Sequence, residues 1–282
     1  MRPVEPVRVA GALVDIAVPA PSSHRRGVSM AGFRGRAEGA VELRMVPYPA
    51  LTMFLDFGDS LLVDEIGGRQ QGGGVVVGLA PGSIRGSGRT VDLLQIRLSP
   101  VVAHGILGAG SPLGGTVVAL EDLWGREAGR MHEKLHAAES WEARFAIARD
   151  ALARRQDAGR AVHPEVAYAW RRVVSSRGRI RVERLAEETG WSRQRLWSRF
   201  RSQLGLTPKR AARLVRFDHA ARRLARGHGA AAVAAECGYA DQPHLHREVV
   251  SFAGMTPTAV AAAPWLTVDP IAWETPHQAL RG

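Results

Sequence analysis

His132-Glu133-Lys134-Leu135-His136 is the run in this chain with the most direct chemical reading. On a helix, imidazoles four apart share a face and can ligate zinc, while the glutamate acts as general base toward a zinc-bound water. Such a centre needs a third ligand, and the nearby carboxylates Glu139, Glu142 and Asp150 stand in no recognisable metal context. Zinc-dependent hydrolysis through His132, Glu133 and His136 is kept as an alternative. The main expectation is two histidines on a surface helix, with no metal, no cofactor and no catalytic residue. His24 and His104 stand alone and read as structural. Gly108-Ala109-Gly110-Ser111-Pro112 has the composition of a phosphate loop, but its spacing fits neither nucleotide motif, and it reads as a turn. Cys237 is the single cysteine, so no internal disulfide can form; a reducing cytoplasm is the expected home.

A second group of side chains could do different work, hydrogen bonding to base edges. Their setting is a pattern that the chain spells twice, 48 residues apart at Gly190 and Gly238. The first copy carries Leu185-Ala186, Gly190-Trp191, Leu196, Phe200 and Gly205-Leu206-Thr207-Pro208. The second carries Ala234, Gly238-Tyr239, Leu245, Val249 and Gly254-Met255-Thr256-Pro257. Each predicts a short helix, a glycine turn needing φ > 0, and a second helix seated by apolar residues four apart. The opposite face of that second helix is then left outward. In the first copy it presents Arg193, Gln194, Trp197, Ser198 and Arg201; in the second, Gln242, Pro243, His246 and Arg247. Glutamine can pair with adenine N6/N7 and arginine can fork onto guanine O6/N7, and a major groove admits a helix.

Charge supports that partner. The 282 residues carry a formal +11, yet residues 171–226 alone hold 17 Lys and Arg against 4 acidic residues, so the rest is near neutral. A basic helical segment that also holds the repeat points to double-stranded DNA. Arg171, Arg172, Arg179, Arg181, Arg210 and Arg213 are expected on phosphates or in solvent, positioning without specifying sequence.

The elements that must position these residues fall in two halves. Before about residue 120, short apolar runs at 41–46, 51–57, 61–63, 75–79 and 91–98 alternate with Gly, Pro and Ser, predicting an antiparallel sandwich or small barrel. Gly67-Gly68 and Gly72-Gly73-Gly74 mark loops. From Leu120 the period turns helical through Leu123, Met131, Leu135, Trp141, Phe145, Ala148 and Leu152, with Ser140 as an expected N-cap. Residues 156–164 read as a linker, and Thr207-Pro208 opens a long helix with apolar face Leu214, Phe217, Ala221 and Leu224. The tail after Pro264 reads as weakly ordered. No run is long and apolar enough to span a bilayer, and residues 9–20 do not make a secretory signal, so no membrane is expected.

The expected class is α+β: a β-rich domain over 1–120, a helical linker over 121–160, and an all-α domain with two tandem helix-turn-helix motifs over 165–263. The paired motifs, each followed by Gly-x-Thr-Pro and joined by a long helix, resemble the AraC/XylS family of bacterial transcription regulators. The matching residues are Leu185-Ala186, Gly190-Trp191-Ser192, Leu196, Phe200-Arg201, Gly205, Pro208, Gly238-Tyr239, Asp241-Gln242, His244-Leu245 and Arg247. Val249 stands where the family usually has phenylalanine. The resemblance implies that Gln194, Trp197 and Ser198 occupy base-reading positions, and that the N-terminal domain is cupin-like and senses a small-molecule effector. It also implies a homodimer and admits RNA polymerase as a partner. A constitutive DNA-binding protein without an effector is the further alternative.

Overall fold

The computed structural model describes residues 2–3, 6–9, 12–20, 25–58, 61–64, 70–71, 73–79, 84–108, 114–115 and 117–273. His24, Gly67-Gly68, Gly72 and residues 109–112 lie outside the described residues. Among the described residues ten strands form one antiparallel sheet: β1 (Arg2–Pro3), β2 (Val7–Val9), β3 (Ala12–Val18), β4 (Val28–Met45), β5 (Leu51–Asp56), β6 (Leu61–Asp64), β7 (Gln70–Gln71), β8 (Gly74–Val77), β9 (Ile84–Leu98) and β10 (Val117–Ala119). The order is β1-β3-β4-β9-β5-β8-β10, with β2 on β3 and with β6 bridging β9 and β7. Its spine is the long β4/β9 pair, whose register shifts between Arg36 and Val41 and bends both strands.

The helices follow: α1 (Pro100–Leu107), α2 (Leu120–Trp124), α3 (Arg126–Ala137), α4 (Trp141–Ala158), α5 (Pro164–Ser175), α6 (Val182–Thr189), α7 (Arg193–Leu204), α8 (Pro208–Ala225), α9 (Ala230–Glu236), α10 (Gln242–Ala253), α11 (Pro257–Ala261) and α12 (Pro264–Ala272). The caps are where side-chain chemistry puts them. The Ser140 hydroxyl accepts from the Ala143 N–H at 3.2 Å, and Thr207 accepts from Arg210 N–H at 3.2 Å with Pro208 opening the helix. The connection read as 156–164 is shorter, because α4 continues through Gln156 to Ala158.

Two stretches depart from the sequence reading. The region before residue 120 contains a helix, α1, started by Ser99-Pro100; its Val102, Ala103, Ile106 and Leu107 are buried. Of the tail after Pro264, the described residues to Trp273 are not loose: α12 closes over β2, β3 and β4, burying Val268, Ala272 and Trp273, and residues 274–282 lie outside the described residues.

These two helices join the sheet to the tandem units. One buried apolar cluster runs from Leu51, Met53, Leu94 and Ile96 on the sheet, through α1 and α4, to Leu214, Phe217 and Leu245. His104 on α1 lies against the α7 end near Gln203, and burial pushes its imidazole below the ordinary value. Beneath α12 sits a buried ion-pair chain. Asp269 takes Arg97 of β9 at 2.8 Å and Arg222 of α8 at 2.7 Å, and Arg222 also holds Asp218 at 3.0 Å. The Tyr48 ring lies 4.3 Å from the Arg97 guanidinium and 5.1 Å from that of Arg222, and Trp273 stacks on Arg97 at 4.1 Å.

Candidate nucleic-acid interface

Each unit is built locally. Gly190 ends α6 at φ +66° and Gly238 follows α9 at φ +75°, a left-handed turn that a side chain would strain. Ser192 then caps α7 by accepting from Arg195 N–H at 3.2 Å, and Asp241 caps α10 by accepting from His244 N–H at 2.6 Å. Leu196, Phe200 and Leu204 of α7 are buried against α5, α6 and α8. Leu245, Val249 and Phe252 of α10 pack on α8 and α9, with Phe252 stacked 5.2 Å from Phe217. Val249 is fully buried, so valine seats this helix without the usual phenylalanine.

With those stripes inward, all nine residues assigned to DNA contact are exposed: Arg193, Gln194, Trp197, Ser198 and Arg201 on α7, and Gln242, Pro243, His246 and Arg247 on α10. Trp197 is 44% exposed, with the Arg201 guanidinium 5.2 Å from its ring. A large aromatic is thus held in solvent by its own helix, which is unusual for a residue whose burial would be worth several kcal/mol. Arg195, also exposed, covers the Trp191 ring at 4.5 Å.

Acidic residues organise the arginines. Glu188 of α6 accepts from Arg172 at 2.7 and 3.0 Å, from Arg184 at 2.9 Å and from Tyr168 at 3.1 Å. These bonds, that of Arg172 foremost, hold its carboxyl down at about 2. Arg172 is therefore engaged in tying α5 to α6, whereas Arg171, Arg179 and Arg181 stay exposed. Glu248 was not legible as a site residue. It is buried on α10 and accepts from Arg213 Nε at 2.7 Å and from Arg216 Nη2 at 3.0 Å. Cys237 is buried behind the α9 turn, where burial pushes its thiol up.

The histidine motif lies elsewhere, on α3 against the sheet. His132 Nε2 is 2.8 Å from the Asp56 carbonyl, and its ring packs 5.4 Å from Phe57. His136 is exposed, 6.2 Å from the same ring, and Lys134 between them is exposed. Among the described residues no group of three or more His, Cys, Asp or Glu is placed to hold a metal ion.

Two helix-turn-helix units on one connecting helix, each with a polar and basic outer face, define a DNA-binding domain. Residues 185–263 match the family model of a helix-turn-helix domain. Among solved structures, the chain is similar to ToxT from Vibrio cholerae, at 11% identity over 85% of this chain and 99% of that one, with a TM-score of 0.49. ToxT bound to (E)-4-(8-methylnaphthalen-1-yl)but-3-enoic acid aligns at 11% identity over 85% and 100%, TM-score 0.47. The unsaturated fatty acid-bound form aligns at 11% over 93% and 98%, TM-score 0.46. Likeness this loose bears on no residue of the present chain. No curated protein matches it. No helix among the described residues is long and apolar enough to cross a membrane.

Proposed function

We propose that this protein is a sequence-specific, double-stranded-DNA-binding transcription regulator whose two recognition helices, α7 and α10, read neighbouring major-groove segments. The observation that carries this reading is the pairing of a buried stripe with an exposed polar face on both helices, each packed to the same α8. Gln194, Trp197 and Ser198 take base edges on one side; Gln242, His246 and Arg247 take them on the other, with Arg193, Arg201 and Pro243 at the margins. Residues 165–263 serve as the DNA-binding domain, 121–160 as a helical connection that also dimerises, and 1–120 as an effector-sensing domain.

Effector control is supported by how the sheet meets α8. A buried ion-pair chain and a shared apolar core link them, so a ligand that prefers one arrangement of the sheet biases the other end. Anisotropy titration of labelled duplexes tests the core of this. Binding is expected to tighten steeply as salt falls, and a selected sequence should outcompete random duplex by a factor of about a thousand or more. No duplex binding at low ionic strength refutes the proposal. An effector would raise the melting temperature of the protein and change its DNA affinity together; a ligand that does the first without the second is not a regulator.

A further inference from the structure

Between the two units lies a cleft of about 820 Å³, walled by the 178–183 turn of the first unit, the first half of α8, and the flank of α10. Six cations line it: Arg179, Arg181, Lys209, Arg213, Arg216 and Arg247. Among the described residues two carboxylates join them, and both are engaged: Glu183 lies 3.6 Å from Arg193 Nη1, and Glu248 is buried and holds Arg213 and Arg216. Arg213 is attached through Nε, which leaves both Nη groups outside that bond, and its side chain is 42% exposed. The cleft's shape is fixed by backbone. Gly178, at φ +71°, approaches α8 so closely that a Cβ there would meet the Ala212 carbonyl oxygen at 2.0 Å. That contact pins the turn bearing Arg179 and Arg181 beside Lys209 and Arg213.

We infer that this cleft grips the sugar-phosphate backbone of the duplex segment that passes between the two recognition helices. The inference rests on the DNA-binding reading above. A concave surface carrying six cations matches phosphates. It lies between the elements that carry α7 and α10, so a duplex engaging both helices must pass its mouth. Arg213, held through its Nε by a buried carboxylate, presents its Nη groups as fixed donors of the kind that phosphate oxygens accept, while Arg216 gives Nε and Nη2 to the same carboxylate. Glu248 acts here as a positioning residue, and Arg213 and Lys209 touch the phosphates. Such contacts add affinity and fix register without reading sequence.

Salt dependence provides the test. The same duplex is titrated at several salt concentrations with wild-type protein, Lys209→Gln and Arg213→Gln. Each substitution is expected to reduce the slope of log affinity against log salt by about 1 and to weaken specific and random duplexes equally. Sequences selected from a random pool should stay those of the wild type. Lys209 is exposed, so its variant keeps the fold even where Arg213→Gln does not. Unchanged slopes in both variants, with wild-type protein still binding duplex, overturn the cleft assignment and leave the recognition helices standing. Wild-type protein that binds no duplex removes both. A free anion is the other source of the same chemistry. Inorganic pyrophosphate that stabilises the wild type but not Arg213→Gln, together with unchanged slopes, makes the cleft a small-anion site and overturns the inference.

Discussion

Removing the Asp269 carboxylate should unfasten α12 from both the sheet and α8. Its two oxygens hold Arg97 and Arg222 at 2.8 and 2.7 Å, and all three side chains are under 10% exposed. In Asp269→Leu, Arg222 keeps Asp218, but Arg97 loses this carboxylate while its guanidinium stays under Trp273 and Tyr48. An uncompensated buried charge costs about 3–5 kcal/mol. For a chain of this size that lowers the melting temperature by on the order of 6–10 °C. Guanidinium unfolding followed by tryptophan fluorescence suits the question, since Trp273 sits on the affected guanidinium. Pairing the change with Arg97→Met, which removes the stranded charge, should recover most of the loss; the coupling between the two sites would exceed about 2 kcal/mol. A cost below about 1 kcal/mol for Asp269→Leu, with no coupling to Arg97, would mean the network is solvated like a surface pair and does not lock the two ends together.

Acid should reach the same fastenings. Burial alone would raise the Asp269 carboxyl, but Arg97 and Arg222 outweigh it and hold it below the usual range, and Glu188 sits at about 2. Depressed carboxylates contribute stability in full above their unfolded values, so stability is expected to fall as pH drops from about 4.5 toward 2. Replacing Asp269 by Asn should flatten that acid limb in a pH series of melting curves; an unchanged limb refutes the assignment. At α7, Gln194→Ala should cost about 1–3 kcal/mol at one base position only, read by competition among single-base variants of the site. Equal weakening on every sequence would show that Gln194 reads no base. Trp197→Ala should leave the melting point within about 2 °C, because the ring is exposed, yet weaken DNA binding several-fold; a large loss of stability would place the ring in packing instead. Cys237, buried and with its thiol pushed up, should react with a thiol reagent only on unfolding, and fast modification of the folded protein would contradict that burial.

The tandem units were legible in the residues because their structure is made within some 20 residues. Gly190 and Gly238 set the turns, Leu196 with Phe200 and Leu245 with Val249 set the seating faces, and the outward residues follow by helical geometry. Thr207-Pro208 and Ser140 signalled helix starts by cap chemistry alone. Helix α1 was not legible: eight residues rich in Val and Ile, buried on most sides, have no polar face to reveal a helical period. Helix α12 escaped for another reason. Pro270 interrupts its local pattern, and what orders it is an ion pair to Arg97, 172 residues earlier. Glu248 likewise reads as an ordinary surface glutamate until α8 brings Arg213 and Arg216 to it.

Methylation interference on a selected DNA site bears most directly on the paired recognition helices. Two clusters of major-groove contacts, read at guanine N7 and by base substitution at adenine, are expected roughly 10 base pairs apart and on one face of the duplex, as helices one turn apart require. One position of the first should drop out in Gln194→Ala and one of the second in Arg247→Ala. A single cluster, or two on opposite faces, would contradict the account.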